Sequence, residues 1–466
     1  MTGTDTESSA SAEIEPARWP RWEIVTLAAL TALGLLLRLH DLGAAPLLFD
    51  NEDELQFAWA GMGLWLHGDA YTWSYFNAYP THTVLHLFGQ TFLMVHQWMD
   101  HPPLYSLLIG GLMVVLGDRR LDQVTVVQVR LIPILAATAT IPLTALFARP
   151  LLGRWPALIA AALLATSPAA VLLARQSEPE SVQAVLLMLA LIASWRLTQG
   201  TSRRTLWLSV ACVCAFLAPG MKISGLAVGG IAVVILLAER QLRPFWWVLG
   251  ATVAGILVYP LYGALVNWHL FLQIVASQNL NRQNILTIFN FIAAPTGVNR
   301  SLHDGWWLLG WFGLGVLAVV GGRRRGWFLV WPAAAYALVM LVLAGSAQTA
   351  QYGWYKVIVY PEVYLGVAGF AWWALRRTSV GAYALLLGLG GVTATNWLFA
   401  GTGTGWAPDP LLLLLILGVL LAPAVFAGWS PEWRRRAEWM MIAGIVGMLL
   451  ANIGTSWILA DIFSHM

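Results

Sequence analysis

Six short stretches of this chain bring together residue types that do chemistry. The first is Asp50-Asn51-Glu52-Asp53-Glu54-Leu55-Gln56-Phe57-Ala58. Four carboxylates within five residues repel one another, so at least one pKa rises, which suits a general base or a metal ligand. The plain alternative is a solvated acidic turn. The second stretch is His101-Pro102-Pro103-Leu104-Tyr105, in which two prolines fix a helix start and present His101. The third is Arg130-Leu131-Ile132-Pro133, at the start of an apolar run. The fourth is Ala165-Thr166-Ser167-Pro168, followed by Arg175-Gln176-Ser177-Glu178-Pro179-Glu180-Ser181. The fifth and sixth are Pro219-Gly220-Met221-Lys222 and Tyr355-Lys356, the latter with Pro361 five residues on. Acids and bases gathered in so apolar a chain suggest chemistry on a charged group.

The elements that hold these stretches are set by a shortage of charge. The chain has 466 residues, of which 59% are hydrophobic and only 11% charged, against about 25% charged in an ordinary soluble domain. That balance excludes a cytosolic enzyme, a nucleic-acid binder and a disordered scaffold. Apolar runs near 20 residues recur, the length at which a helix crosses a bilayer. The fold class is an all-α multi-pass membrane protein with about 13 transmembrane helices, the first near 22–38 and the last near 438–459. Residues 1–17 read as a polar, disordered tail, and the first run stays in place as a signal anchor. Cys212 and Cys214 lie within one apolar run and read as small core residues.

Basic residues orient the spans. With the N-terminus cytoplasmic, every second linker is a short arginine-rich turn, such as Arg203-Arg204, Arg323-Arg324-Arg325 and Arg434-Arg435-Arg436. Counting 103–117 as a further span would turn those linkers outward, so it reads as an interfacial helix. The first outer loop then runs from 40 to 127, and loops of that length are usually functional. A second outer segment covers 266–305. Both lysines of the chain, Lys222 and Lys356, fall at outer helix ends, and Arg175 and, in the second outer segment, Arg282 and Arg300 fall on the same side. Each alone could snorkel to the headgroups; several converging on one cavity would make an anion site.

Taken in order, the six stretches resemble the GT-C glycosyltransferases that use polyprenyl-phosphate sugars, and among them the protein O-mannosyltransferases and the aminoarabinose transferase of lipid A. That family has D-E-x-x-Y-A after span one, met by Asp53-Glu54-Leu55-Gln56-Phe57-Ala58 with Phe57 for Tyr. Its H/K-P-P-L is met by His101 to Leu104, and its R-L-P by Arg130-Leu131 with Ile132 inserted before Pro133. Its S-P, Arg and P-D are met by Ser167-Pro168, Arg175 and Pro179-Glu180, with Glu for Asp. Of a T-K-G turn only Lys222 is kept, and Tyr360-Pro361 meets the last element loosely.

The resemblance implies a GT-C module over 18–265, including the 40–127 loop, with variable helices over 306–466. It implies transfer of a sugar, with inversion, from a lipid phosphate to a lipid, glycan or protein acceptor on the outer face of the plasma (inner) membrane. Asp53 is then the base, Glu54 its neighbour, and Glu180 a holder of acceptor or metal, with Glu178 as the alternative. Arg175, Lys222, His101 and Lys356 are the donor-phosphate candidates, followed by Arg282 and Arg300. No cofactor is required; a divalent ion, if used, would sit between Asp53 and Glu180. His82 and His86, spaced i, i+4, would suit a metal if that stretch were helical. Trp59 and Trp354 are candidates to stack on sugar, and the run 271–294 to cover lipid or acceptor. Two other readings are a transporter or flippase of an anionic lipid-linked precursor and a ligase of preassembled glycans. Charges clustered at the outer edge, not at the midplane, speak against the transporter, and the ligase would need a larger outer domain.

Overall fold

A computed structural model describes residues 19–48, 53–279, 291–292, 302, 304–343, 353–400 and 410–464. Among them, 8 helices are long and apolar enough to cross a membrane: Arg21–Leu39, Val126–Leu152, Glu180–Thr198, Arg204–Met221, Leu242–Val266, Gly322–Leu343, Gly353–Arg377 and Pro431–Trp457. The other expected runs are helical too, but shorter or broken. The run at 156–174 is two helices, Arg154–Thr166 and Pro168–Leu173, because Pro168 cannot continue the hydrogen-bond ladder of the first. Gly305–Val320 and Val380–Thr393 are shorter apolar helices.

Five elements from the first half of the chain position the candidate residues: α1 (Arg21–Leu39), α2 (Gln56–His67), α3 (Pro103–Leu116), α4 (Val126–Leu152) and α5 (Arg154–Thr166). Helix α4 starts at a reciprocal cap: the Thr125 hydroxyl accepts from the Gln128 N–H, and Gln128 Oε1 accepts from the Thr125 N–H at 2.7 Å. This places Arg130 at the start of its second turn. Helices α2 and α3 cross backbone on backbone at Gly61 and Gly110, where a Cβ on either would collide with the main chain of the other. Both lie within residues 40–127.

Between α2 and α3 the loop forms a sheet that the apolar pattern does not announce. It is three-stranded and antiparallel, in the order β1 (Thr72–Trp73), β3 (Gln90–Val95), β2 (Thr83–Leu87). Its inner face carries Phe92, whose ring lies 5.1 Å from that of Trp59, and the buried Met94. The sheet corrects the helical reading of His82 and His86. His86 sits in a strand with Nδ1 2.9 Å from Thr91 Oγ1, and four residues along a strand span about 13 Å, too far to share an ion.

The remaining elements used below are α6 (Pro168–Leu173), α7 (Glu180–Thr198), α8 (Arg204–Met221), α9 (Leu226–Ala238), α10 (Leu242–Val266), α11 (Trp268–Asn279), α12 (Gly305–Val320), α13 (Trp331–Leu343) and α14 (Tyr360–Arg377). Cys214 is buried in α8 and Cys212 half-buried, both as free thiols.

Candidate active site

Two buried ion groups meet where α2, α4, α7 and α8 begin or end. In the first, Glu54, in the turn before α2, receives Arg130 as a fork: Nε to Oε1 at 2.7 Å and Nη2 to Oε2 at 2.8 Å. Both side chains are fully enclosed. The third arm of Arg130 donates to the Leu42 carbonyl at 2.7 Å, and Glu54 also accepts from the Ser177 backbone N–H. Burial pushes the Glu54 carboxyl up, while the Arg130 guanidinium pulls it back.

In the second group one lysine bridges two glutamates. Lys222 Nζ lies 3.0 Å from Glu178 Oε2 and 2.8 Å from Glu180 Oε1. The chain turns so tightly through Pro179 that both carboxylates face the same ammonium. Lys222 follows the last residue of α8, and Gln183 of α7 holds that end by donating Nε2 to the Ala218 and Lys222 carbonyls, 3.0 Å each. Burial alone would lower the Lys222 pKa, but Glu178 and Glu180 outweigh it and hold the ammonium charged, well above the ordinary lysine range. The Tyr355 ring packs against it, 4.6 Å from Nζ to the ring centre. Tyr105 and Tyr336 lie close enough to feel the charges of Glu180 and Lys222.

This second group opens on a cavity. Lys222 and His101 line it together, with Asp100, Tyr259, Gln278 and Tyr355. His101 is placed by its neighbours: its ring lies 5.3 Å from Phe57 and 5.8 Å from Trp98. Asp100 fixes the turn that carries it, accepting from Ser74 Oγ at 2.6 Å and from Tyr79 Oη at 2.7 Å. Burial pushes the Asp100 carboxyl up to about 6. Three side chains from α10 and α11 grip the same turn, with Tyr262, Tyr259 and Gln278 donating to the carbonyls of Trp98, Met99 and Asp100.

The other candidates fall elsewhere. Asp53 shares the turn of Glu54 and is partly exposed. Arg175 is buried, and its guanidinium donates to the carbonyls of Leu37, His40 and Ala45, at 2.7, 2.7 and 2.9 Å. It closes the C-terminal end of α1, whose last carbonyls have no partner within the helix. Burial first, then the nearby Arg130 and Arg38, lower its pKa to about 10. The Lys356 ammonium lies 4.9 Å from the centre of the Trp307 ring, in the field of Asp304, which caps α12 through Trp306 N and Trp307 N. Trp59 is enclosed in the loop core, and the Trp354 ring lies 6.1 Å from Tyr355. Asp50, Glu52, Arg282 and Arg300 lie outside the described residues, as does most of 271–294.

Sequence reasoning left two contributors without a role. Arg130 stood in a motif, but nothing adjacent in the chain marks Glu54 as its partner, 76 residues away. Asp100 was passed over although it directly precedes His101. Among the described residues no group of three or more His, Cys, Asp or Glu side chains is arranged to hold a metal ion.

Residues 100–263, the span from Asp100 through Lys222 into α10, match the family model of dolichyl-phosphate-mannose-protein mannosyltransferases. In fold, the chain is similar to crystal structures of ArnT from Cupriavidus metallidurans. The undecaprenyl phosphate-bound form has a TM-score of 0.58 at 16% identity, covering 95% of this chain and 78% of that one. The apo form has the same TM-score and identity, with 94% and 77% covered. An oligosaccharyltransferase from Archaeoglobus fulgidus gives a TM-score of 0.49 at 14% identity, over 89% of this chain and 57% of that one. No curated protein matches the sequence. The architecture is the GT-C fold, that of a class of multi-pass membrane glycosyltransferases. The sequence match covers residues 100–263, and the likeness to ArnT over the rest of the chain is one of fold.

Proposed function

We propose that this protein transfers a sugar from a polyprenyl-phosphate carrier to an acceptor at the extracytoplasmic face of the plasma (inner) membrane, with inversion. The observation that carries the reading is the Glu178–Lys222–Glu180 group, a buried and charged ammonium on the wall of a cavity shared with His101. A departing lipid phosphate needs such a cation, held in place before the reaction and shielded from water. His101 can add a hydrogen bond to the same phosphate. Asp53, which does not line this cavity but shares the turn of the enclosed Glu54–Arg130 pair, keeps by resemblance the role of the base that takes the acceptor proton. A single displacement of this kind inverts the anomeric centre. The short basic linkers support a cytoplasmic N-terminus and a site facing outward.

Glu180 suits a role in orienting Lys222 and the acceptor. A divalent ion between Asp53 and Glu180 fits this donor set poorly, because the Lys222 ammonium already lies against the Glu180 carboxylate. We therefore assign the charge-stabilising part to Lys222. Arg175 fits a structural part, and Lys356 supports the Asp304–Trp307 corner.

The test is incubation of the purified protein with a panel of polyprenyl-phosphate sugars and candidate acceptors, following lipid phosphate release and product anomer. One donor should be consumed, with an inverted product. Retained configuration would remove the single-displacement scheme, and movement of intact donor across the bilayer without cleavage would favour a flippase.

A further inference from the structure

From Ala70 to Met99 the chain carries no Asp, Glu, Lys or Arg. The same loop is charged on either side, with Asp41, Asp53, Glu54 and Asp69 before and Asp100, Arg119, Arg120 and Asp122 after. Charge is thus missing specifically from the sheet. The inner face of the β2–β3 hairpin is covered by α2, as the Phe92–Trp59 contact shows. Its outer face carries Val84 and Leu93, paired across the strands, and His86 and Thr91, likewise paired. Val84 is 55% and Leu93 41% exposed.

The tip is stranger still. Phe88 and Gly89 form a two-residue turn with φ of +51° and +74°, the conformation in which Asn, Asp and Gly are the usual residues. A bulky side chain sits there against its backbone preference, and it is 42% exposed. The root of the hairpin sits at the end of a helix long and apolar enough to cross a membrane. Asn267, the residue after the span Leu242–Val266, donates from Nδ2 to Gln97 Oε1 at 3.2 Å. Tyr262, in the last turns of that span, donates to the Trp98 carbonyl at 3.0 Å.

A ribbon without charge, rooted at the end of a spanning helix, can enter the headgroup layer cheaply: its strands satisfy each other's backbone groups, and no ion has to be dehydrated. We propose that the β2–β3 hairpin docks tip first, through Phe88 with Val84 and Leu93, into the surface of the lipid bilayer that the chain spans. It forms a second membrane contact beside the helices and ties the turn of His101 to the bilayer. This docking is independent of which reaction the cavity performs.

The test uses the full-length protein in nanodiscs of phosphatidylethanolamine and phosphatidylglycerol. Cys212→Ala and Cys214→Ala remove the native thiols, and nitroxides are placed singly at Phe88→Cys, Val84→Cys and Leu93→Cys. Asp122→Cys, on the charged part of the same loop, is the aqueous reference. Power saturation should show oxygen collisions exceeding those with a water-soluble nickel chelate several-fold at 88, with the ratio reversed at 122. The label at 93 leaves the tip intact, and adding Phe88→Asp to it should move its ratio toward that of 122. Ratios at 84, 88 and 93 all equal to the reference would overturn the proposal. So would low collisions with both reagents together with spin–spin broadening, which would mean that a second copy covers the face.

Discussion

The two buried ion groups use the same chemistry to opposite ends. Around Arg130, Arg175 and Arg38, nearly every donor finds a fixed acceptor. Arg130 forks onto Glu54, Arg175 closes the end of α1, and Arg38 donates to the Gly34, Leu164 and Ala165 carbonyls. The last two belong to α5, where Ser167-Pro168 breaks the ladder and leaves carbonyls without helical partners. Around Lys222 the ammonium is instead held between two glutamates at the wall of a cavity. Closed groups of the first kind fix the path of the chain. A group left facing open space is where a substrate's charge can still be answered.

The comparison breaks if variants in the two groups behave alike. The largest effect belongs to Asp53→Asn, which should lower transfer on the order of 100- to 10,000-fold, the range for a lost general base, with an unchanged melting temperature; near wild-type turnover would remove the base assignment. Arg130→Met should cost about 3–5 kcal/mol of stability, because it leaves the enclosed Glu54 carboxylate unpaired, and removing both partners should recover part of that loss. Thermal unfolding in detergent reads both variants.

Asp100 gives a pH signature next in size. Its folded pKa, about 6, lies above the unfolded value of 3.8, so the fold favours the protonated acid. The stability this contributes is full below pH 4, declines as pH rises through about 6 and is absent above. It amounts to at most about 3 kcal/mol. Melting temperatures between pH 4 and 7 should carry this slope in the wild type and lose it in Asp100→Asn. Lys222→Gln should weaken donor binding roughly 10- to 100-fold, as expected for a lost charged hydrogen bond, and an unchanged donor KM would take Lys222 out of the phosphate site. The smallest expected effect is none: a chelator of divalent ions should leave turnover unchanged.

Much of this was legible in the residues themselves. Runs near 20 apolar residues mark helices directly, and the stretches around Asp53, His101, Arg175 and Lys222 stood out because charge is rare in such a chain. The pairings were not legible, since Glu54 and Arg130 lie 76 positions apart and Glu178 and Lys222 lie 44 apart. Nothing local told Arg175, whose bonds end on backbone, from Lys222, which faces a cavity. The sheet was missed because the alternation that signals a strand is blurred away from its tip, where Val84 and Leu93 put apolar side chains on the outer face as well as the inner one. That failure and the hairpin's bare, uncharged surface have the same cause.

The most direct measurement is the release of lipid phosphate from a polyprenyl-phosphate sugar by purified wild-type protein and by Asp53→Asn, with both shown to be folded. Acceptor-dependent release by the wild type alone is the predicted result. Equal release by the two proteins, or none from any donor by folded wild type, would contradict the account.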